Sequence, residues 1–261
     1  MFRSLHIAST GMSAQETQLE GVANNISNAN TAGYKRQRVE FQDLLYQNVR
    51  EAGAPTGPNT MSPTGLQIGT GVRVVGTSRE FEQGGLENSG NPLDIAIEGS
   101  GFFVTLQPDG TNAYTRAGML KTDGAGRIVT QEGMPLDPPI TIPQGAMGIS
   151  VAADGTVSVN MTGETVPTEV GKIQLANFIN ESGLKALGHN LFVPTVASGQ
   201  PQLGNPGEDG RGTLLQGSYE RSNVDIVTEM IGMIGAQRAY EINSKVITTA
   251  DDMLRAATQM K

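Results

Sequence analysis

All 13 prolines of this 261-residue chain fall between Pro55 and Pro206, so residues 1–54 and 207–261 contain none. Proline lacks a backbone N–H and clashes with the preceding helical turn, so the two flanks are the parts free to form long uninterrupted helices. Glycine sorts the same way: of 34, only Gly11, Gly21, Gly33, Gly232 and Gly235 lie outside residues 34–221. Helical ends must therefore enclose a non-helical interior.

In the amino-terminal flank Leu5, Ala8, Met12, Gln15, Leu19, Val22 and Ile26 recur at spacings of three and four. They form one stripe of a helix expected from about Arg3 to Asn28. The run Asn28-Ala29-Asn30-Thr31-Ala32-Gly33 supplies its stop, because Asn and Gly tolerate the left-handed conformation that ends helices. In the other flank Ser222-Asn223-Val224-Asp225 fits a capping box. A helix from there to the end of the chain would be about 57 Å long at 1.5 Å per residue.

That second helix carries two apolar rows. Ile231, Gly235, Ala239, Ile242, Val246, Ala250, Met253 and Ala257 make one, and Met230, Met233, Tyr240, Ile247 and Leu254 the other. Two rows require two partners: the first helix can cover one, and the other needs something outside the chain. Gly232 and Gly235 each cost about 1 kcal/mol relative to alanine inside a helix. A close approach by a neighbouring helix, with no Cβ in the way, can recover that.

Between the flanks, short alternating runs are separated by turn residues. Ile149 and Val151, then Asp154-Gly155, then Val157 and Val159 make the clearest hairpin. Pro108-Asp109-Gly110 and Asp123-Gly124-Ala125-Gly126 are further turns, flanked by Phe102-Phe103-Val104, Tyr114-Thr115 and Ile128-Val129. The stretch Glu51 to Gly65 has no periodicity and reads as part of an extended arm over residues 46–68. The expected fold class is α+β: long amino- and carboxyl-terminal helices pairing as a coiled coil, with an inserted antiparallel β domain and the arm. Residues 1–33 and 222–261 would form a terminal-helix domain, 34–75 a connecting region bearing the arm, and 76–221 the β-rich domain.

Eighteen Lys and Arg against 26 Asp and Glu leave a net charge of −8, which argues against a grip on nucleic acid phosphates. The chain has no cysteine, which excludes disulfides and thiolate chemistry. His6 and His189 lie in no metal-spaced cluster. Gly99-Ser100-Gly101 lacks the spacing of a nucleophile elbow. Of Asp94, Glu98, Asp109 and Asp123, three sit in or beside turns, where aspartate serves the backbone. Neither an enzyme nor a cofactor or metal site is expected. Lys35-Arg36-Gln37-Arg38 reads as a solvated turn or an inter-subunit contact. The start, interrupted by His6, Ser9, Thr10 and Gly11, does not read as a cleavable secretory signal, and no apolar run is long enough for direct membrane insertion.

The same residues resemble a known family. Ala23-Asn24-Asn25-Ile26-Ser27-Asn28, followed by Thr31-Ala32-Gly33-Tyr34-Lys35, is similar to the amino-terminal signature of the bacterial flagellar axial proteins of rod and hook. Ser222-Asn223-Val224-Asp225, Glu229-Met230, Met233-Ile234, Gln237-Arg238-Ala239-Tyr240-Glu241, Asn243-Ser244-Lys245 and Asp251-Asp252-Met253-Leu254 resemble its carboxyl-terminal signature. Leu93 to Phe103 and Tyr114-Thr115-Arg116-Ala117-Gly118 resemble the shared β domain. Hook members generally carry an extra outer domain that 261 residues leave no room for. The run Phe41 to Gln47 and the arm, marked by Tyr46, Pro55, Pro58, Pro63 and Leu66, are similar to the rod branch.

The resemblance implies a structural protein that polymerises helically into a stiff hollow tube in the flagellar basal body, spanning the periplasm, after export without a cleaved signal. The implied partners are further copies of itself, proximal rod proteins, the hook protein, the rod cap, the bushing rings and the flagellar export apparatus. Assembly would run through Leu5, Met12, Leu19, Val22 and Ile26 with Met230, Ile231, Ile234, Ala239, Tyr240, Ile242, Val246, Ile247, Met253 and Leu254. The family-motif residues are Asn24, Asn25, Asn28, Gly33, Tyr34, Gln237, Arg238, Glu241 and Asn243. Asn24, Asn28, Gln237, Asn243 and Ser244 would suit a wet channel wall. A hook-type or proximal-rod subunit is the alternative, and a secreted β-domain adhesin or cell-wall hydrolase a remoter one.

Overall fold

The computed structural model describes residues 2–53, 55–57, 60–161 and 166–259. Pro58 of the arm lies outside them. The chain forms two compact units, the first of Met1–Ile26, Gln37–Ser78 and Ile226–Lys261, the second of Ser27–Arg36 and Arg79–Asp225.

The first unit is built on helices α1 (Phe2–Ser27) and α2 (Ile226–Gln259). Asn25 Nδ2 donates to Glu229 Oε2 at 3.2 Å. A Cβ added at Gly232 would lie 4.0 Å from Val22, and one at Gly11 would lie 3.0 Å from the Asn243 amide. These three meeting points step backward along α1 as they step forward along α2, so the helices run antiparallel. Ala8 and Ala14 of α1 and Ala236 and Ala250 of α2 are among the few buried apolar side chains of the unit.

The expected arm is a paired β-ribbon. Strands β1 (Gln37–Asp43), β2 (Gln47–Arg50), β3 (Pro55–Gly57), β4 (Thr60–Met61), β5 (Leu66–Ile68) and β6 (Val72–Arg79) pair in nested order, β1 with β6, β2 with β5 and β3 with β4. Backbone bonds also bridge the gaps, Leu44 N–H to Gly71 O at 2.9 Å and Gly53 N–H to Ser62 O at 2.8 Å. The base of the ribbon packs on α1, where a Cβ on Gly21 would come within 3.0 Å of Val39 Cγ2. Asn25 secures the join, donating to Gln37 O at 2.8 Å and accepting the Gln37 N–H at 2.9 Å.

The helix termini show one departure from the sequence reading. α2 starts at Ile226, too late for Ser222 to be its cap. The Ser222 hydroxyl instead accepts the Val224 N–H at 3.3 Å in a local turn. The Asn223 side chain, accepting the Arg36 N–H and donating to Glu80 O and Glu82 O, ties this stretch to the second unit's own segments and delays the helix.

The second unit is antiparallel β throughout its paired strands. In chain order these are β7 (Leu86–Asn88), β8 (Ile95–Glu98), β9 (Phe102–Leu106), β10 (Asn112–Thr115), β11 (Lys121–Thr122), β12 (Ile128–Val129), β13 (Ala146–Val151), β14 (Thr156–Met161), β15 (Thr168–Lys172), β16 (Leu175–Asn177), β17 (Lys185–Gly188), β18 (Leu191–Val193), β19 (Gln202–Gly204), β20 (Thr213–Gln216) and β21 (Ser218–Glu220). The expected hairpin forms at β13–β14, with Ile149 opposite Val159 and Val151 opposite Val157. A six-stranded sheet, ordered β17-β18-β10-β9-β16-β19, carries a core on each face. Successive residues of a strand point to opposite faces. Phe103 thus joins Ile95, Ile97, Leu120, Ile128 and Leu175 on one side. Phe102 and Val104 join Tyr114, Phe178 and Phe192 on the other. There the rings meet edge to face, Tyr114 and Phe178 with centroids 4.9 Å apart.

Candidate assembly surface

α2 has one covered side and one bare side. The covered residues are Glu229, Met233, Ala236, Ala239, Asn243, Ile247, Ala250 and Leu254, buried or half-buried at spacings of three and four. The opposite side is exposed: Ile231 is 66% and Ile242 63% accessible, and Met230, Ile234, Val246 and Met253 also lie open, while Tyr240, in line with the covered Met233 and Ile247, is left partly open at the edge. Burying a side chain of this size is worth about 1.5–3 kcal/mol, so six left open on one helix are a large unused driving force. Gln237, Arg238 and Glu241 are exposed on the same helix.

Of the glycines of α2, Gly232 faces Val22 of α1 and Gly235 lies on the bare side. A close helix-to-helix approach occurs at Gly11 of α1, where a Cβ would lie 3.0 Å from the Asn243 amide, while a Cβ on Gly235 would meet nothing within 4 Å. Nothing within the described chain accounts for glycine at that position. On α1, Val22 is buried, and Leu5, Met12, Leu19 and Ile26 are half-buried. Among the polar positions, Asn24, Gln237 and Ser244 are exposed, whereas Asn243 is half-buried against Gly11 and Asn28 accepts the Thr31 hydroxyl at 3.2 Å.

The ribbon is the second open surface. Leu45 is 91% accessible, and Phe41, Tyr46, Val49, Leu66 and Val75 are exposed too, with Pro63 beside them. Tyr46 lies along the backbone of Gly69, 3.5 Å from where its Cβ would be. Pro55 opens β3.

The signature segment after α1 sits inside the second unit. Gly33 adopts φ +69°, and a Cβ there would lie 2.6 Å from Ala117 N, so only glycine fits between the two motifs. Tyr34 is buried and its ring lies under the Arg79 guanidinium, 5.3 Å from the centroid. Asn190, at the left-handed tip of the β17–β18 hairpin, donates to Ala32 O at 2.9 Å. Lys35, read from sequence as solvated, is fully buried: its ammonium lies 2.7 Å from Glu220 Oε1, and Arg116 is 3.3 Å from Glu220 Oε2. Burial pushes the Lys35 ammonium below its ordinary value, the Glu220 carboxylate offsetting only part of that. Glu220 and Arg116 carry no local signal of this role, because their partners lie 185 and 104 residues away.

Among the described residues no cluster of His, Asp and Glu is placed to hold a metal ion, and no helix is long and apolar enough to cross a membrane. One hollow of the second unit is lined by Thr31, Thr115, Met119, Glu132 and His189. Its histidine faces Glu132 at 3.4 Å on an exposed hairpin tip.

Comparison with known proteins bears on the whole chain. Residues 5–35 match the family described as flagella basal body rod protein, 96–159 the flagellar hook protein FlgE/F/G D1 domain, and 215–260 the flagellar basal body rod FlgEFG protein C-terminal region. The flagellar basal-body rod protein FlgG of Caulobacter vibrioides is 50% identical over 260 residues, 99% of each chain. That of Borreliella burgdorferi is 46% identical over 263 residues, covering 100% of this chain and 99% of its own. That of Bacillus subtilis is 36% identical over 266 residues and the full length of both.

Proposed function

The chain belongs to the flagellar rod and hook family, and from that premise we propose that the bare row of α2 and the exposed ribbon are the surfaces through which its copies join. It is a structural subunit of the flagellar distal rod and not an enzyme. In this reading α1 and α2 pair as a coiled coil and line the inner wall of a hollow helical tube. The tube turns with the motor, passes torque to the hook and conducts exported subunits. Its neighbours are further copies, the proximal rod proteins, the hook protein and the rod cap, with the bushing rings around it. Export through the flagellar apparatus brings it to its place across the periplasm.

The observation that carries the reading is the exposed row on α2 from Met230 to Met253, opposite a covered row on the same helix. A helix covered on one side only is marginal in isolation. Dilute monomer should therefore exchange the amides of 225–255 readily and protect them on polymerisation; strong protection in the monomer would overturn this. The ribbon supplies rigidity by reaching a neighbouring subunit. Removing residues 48–63 should leave rods that assemble but curve, and straight rods from that variant would sink the assignment.

A further inference from the structure

The chain passes between its two units four times, after residues 26, 36, 78 and 225. A single crossing strand is a swivel, because each residue contributes two soft dihedral angles. Inside the second unit, the segments bordering these crossings are stitched together. Glu220 is 1% accessible, and it accepts from the Lys35 ammonium at 2.7 Å, the Gly84 N–H at 2.8 Å and Arg116 at 3.3 Å. Its own carbonyl accepts the Gly33 N–H at 2.8 Å. Asn223 repeats the pattern three residues on, accepting the Arg36 N–H at 2.7 Å and donating to Glu80 O at 2.8 Å and Glu82 O at 3.2 Å. Backbone bonds close the remaining gaps, Glu80 N–H to Arg36 O and Arg221 N–H to Gly85 O, both at 2.9 Å.

We propose that Glu220 and Asn223 are positioning residues of a clasp, which ties segments 33–36, 80–85 and 218–223 into one joint, so that force entering the second unit is shared by every crossing. The low dielectric around the buried network strengthens each bond in it, and loss of one member weakens the others. The Gly84 backbone lies so close to Arg221 that a Cβ there would overlap its carbonyl oxygen, so two of the three segments are held in contact along their backbones as well. The inference rests on the rod reading and says which residues make the subunit stiff under load.

The test uses the full chain with Asn223→Ala, at a half-buried position, and Glu220→Gln, which keeps the shape and removes the charge. Hydrogen exchange should show the amides of Gly33, Arg36, Glu80, Gly84 and Arg221 opening as one group in the wild type. In either variant all five should accelerate together by at least tenfold while those of β9 and β10 stay unchanged. Acceleration confined to Arg36 in Asn223→Ala would show independent segments and overturn the clasp; this measurement decides alone where a variant fails to assemble. In a flagellated strain lacking its own rod subunit, Asn223→Ala should restore basal bodies in normal number and normal rotation of a small bead, but stall with a large one. Wild-type speed at every load would overturn the clasp. Failure of the unaltered chain to restore rotation would overturn the rod reading instead.

Discussion

Replacing Ile231 and Ile242 together by serine separates folding from assembly. Both side chains are about two-thirds exposed, 66% and 63%, on the helix side that nothing in the chain covers. Exposed positions away from special features change stability by about 0.5 kcal/mol or less, so the unfolding midpoint of the monomer should stay put. In the polymer, covering the exposed two-thirds of each side chain is worth about 1–2 kcal/mol, so the pair contributes about 2–4 kcal/mol per subunit. At 1.4 kcal/mol per factor of ten, the critical concentration should rise roughly thirty- to several-hundred-fold. Sedimentation of polymer from a dilution series reads this directly, with circular dichroism on the monomer as the control. Polymerisation at the wild-type concentration would refute the placement of the interface on this row. A comparable loss of monomer stability would show that the row is already covered within the chain.

Gly33→Ala should destabilise the second unit by about 2–4 kcal/mol, since the added Cβ meets both a positive φ and the Ala117 backbone; denaturant unfolding measures it. Gly235→Ala should do the opposite in the monomer, with stability unchanged or raised by up to about 1 kcal/mol, while polymerisation weakens because a neighbour approaches there. Equal polymerisation of that variant would leave the glycine without an assembly role. Asp109, Asp123 and Asp154 each accept hydrogen bonds from their own turns, chiefly from Thr111, the Arg127 N–H and the Thr156 N–H, which hold their carboxyls below 3.8. A lowered folded value means the contribution is complete above 3.8 and is lost as pH falls through the folded values. Carboxyl titration by NMR should give midpoints under 3.8 for all three, and higher midpoints would contradict the turn bonding.

What could be read from the sequence follows the range of the interactions. The terminal helices are written in apolar spacing and missing prolines, and Asp154-Gly155 marks its hairpin because Gly155, at φ +87°, takes the left-handed conformation that closes the turn. The ribbon was legible as extended but not as paired. Alternation marks a strand only when one of its faces is buried, and β2 and β5 expose nearly all of theirs. Lys35 resembles any surface lysine until Glu220 arrives from the far end of the chain. Ser222 matches a cap in sequence, yet the bonds of Asn223 to Glu80 and Glu82 hold the backbone out of the helix for three more residues. That α2 is more apolar than one neighbour can cover was legible in its spacing, but the division into two rows was not: Ala239 and Ala250 of the first row are covered, and Met230 and Tyr240 of the second lie open.

The central claim is that the bare row of α2 is an interface between copies of the chain. Electron microscopy of polymer grown from the purified protein, carried to side-chain detail by helical reconstruction, tests it most directly. The account predicts straight tubes in which Ile231, Ile242, Val246 and Met253 are buried against a neighbouring subunit. Tubes in which those side chains face water, or no tubes under conditions where the chain is folded and concentrated, would contradict it.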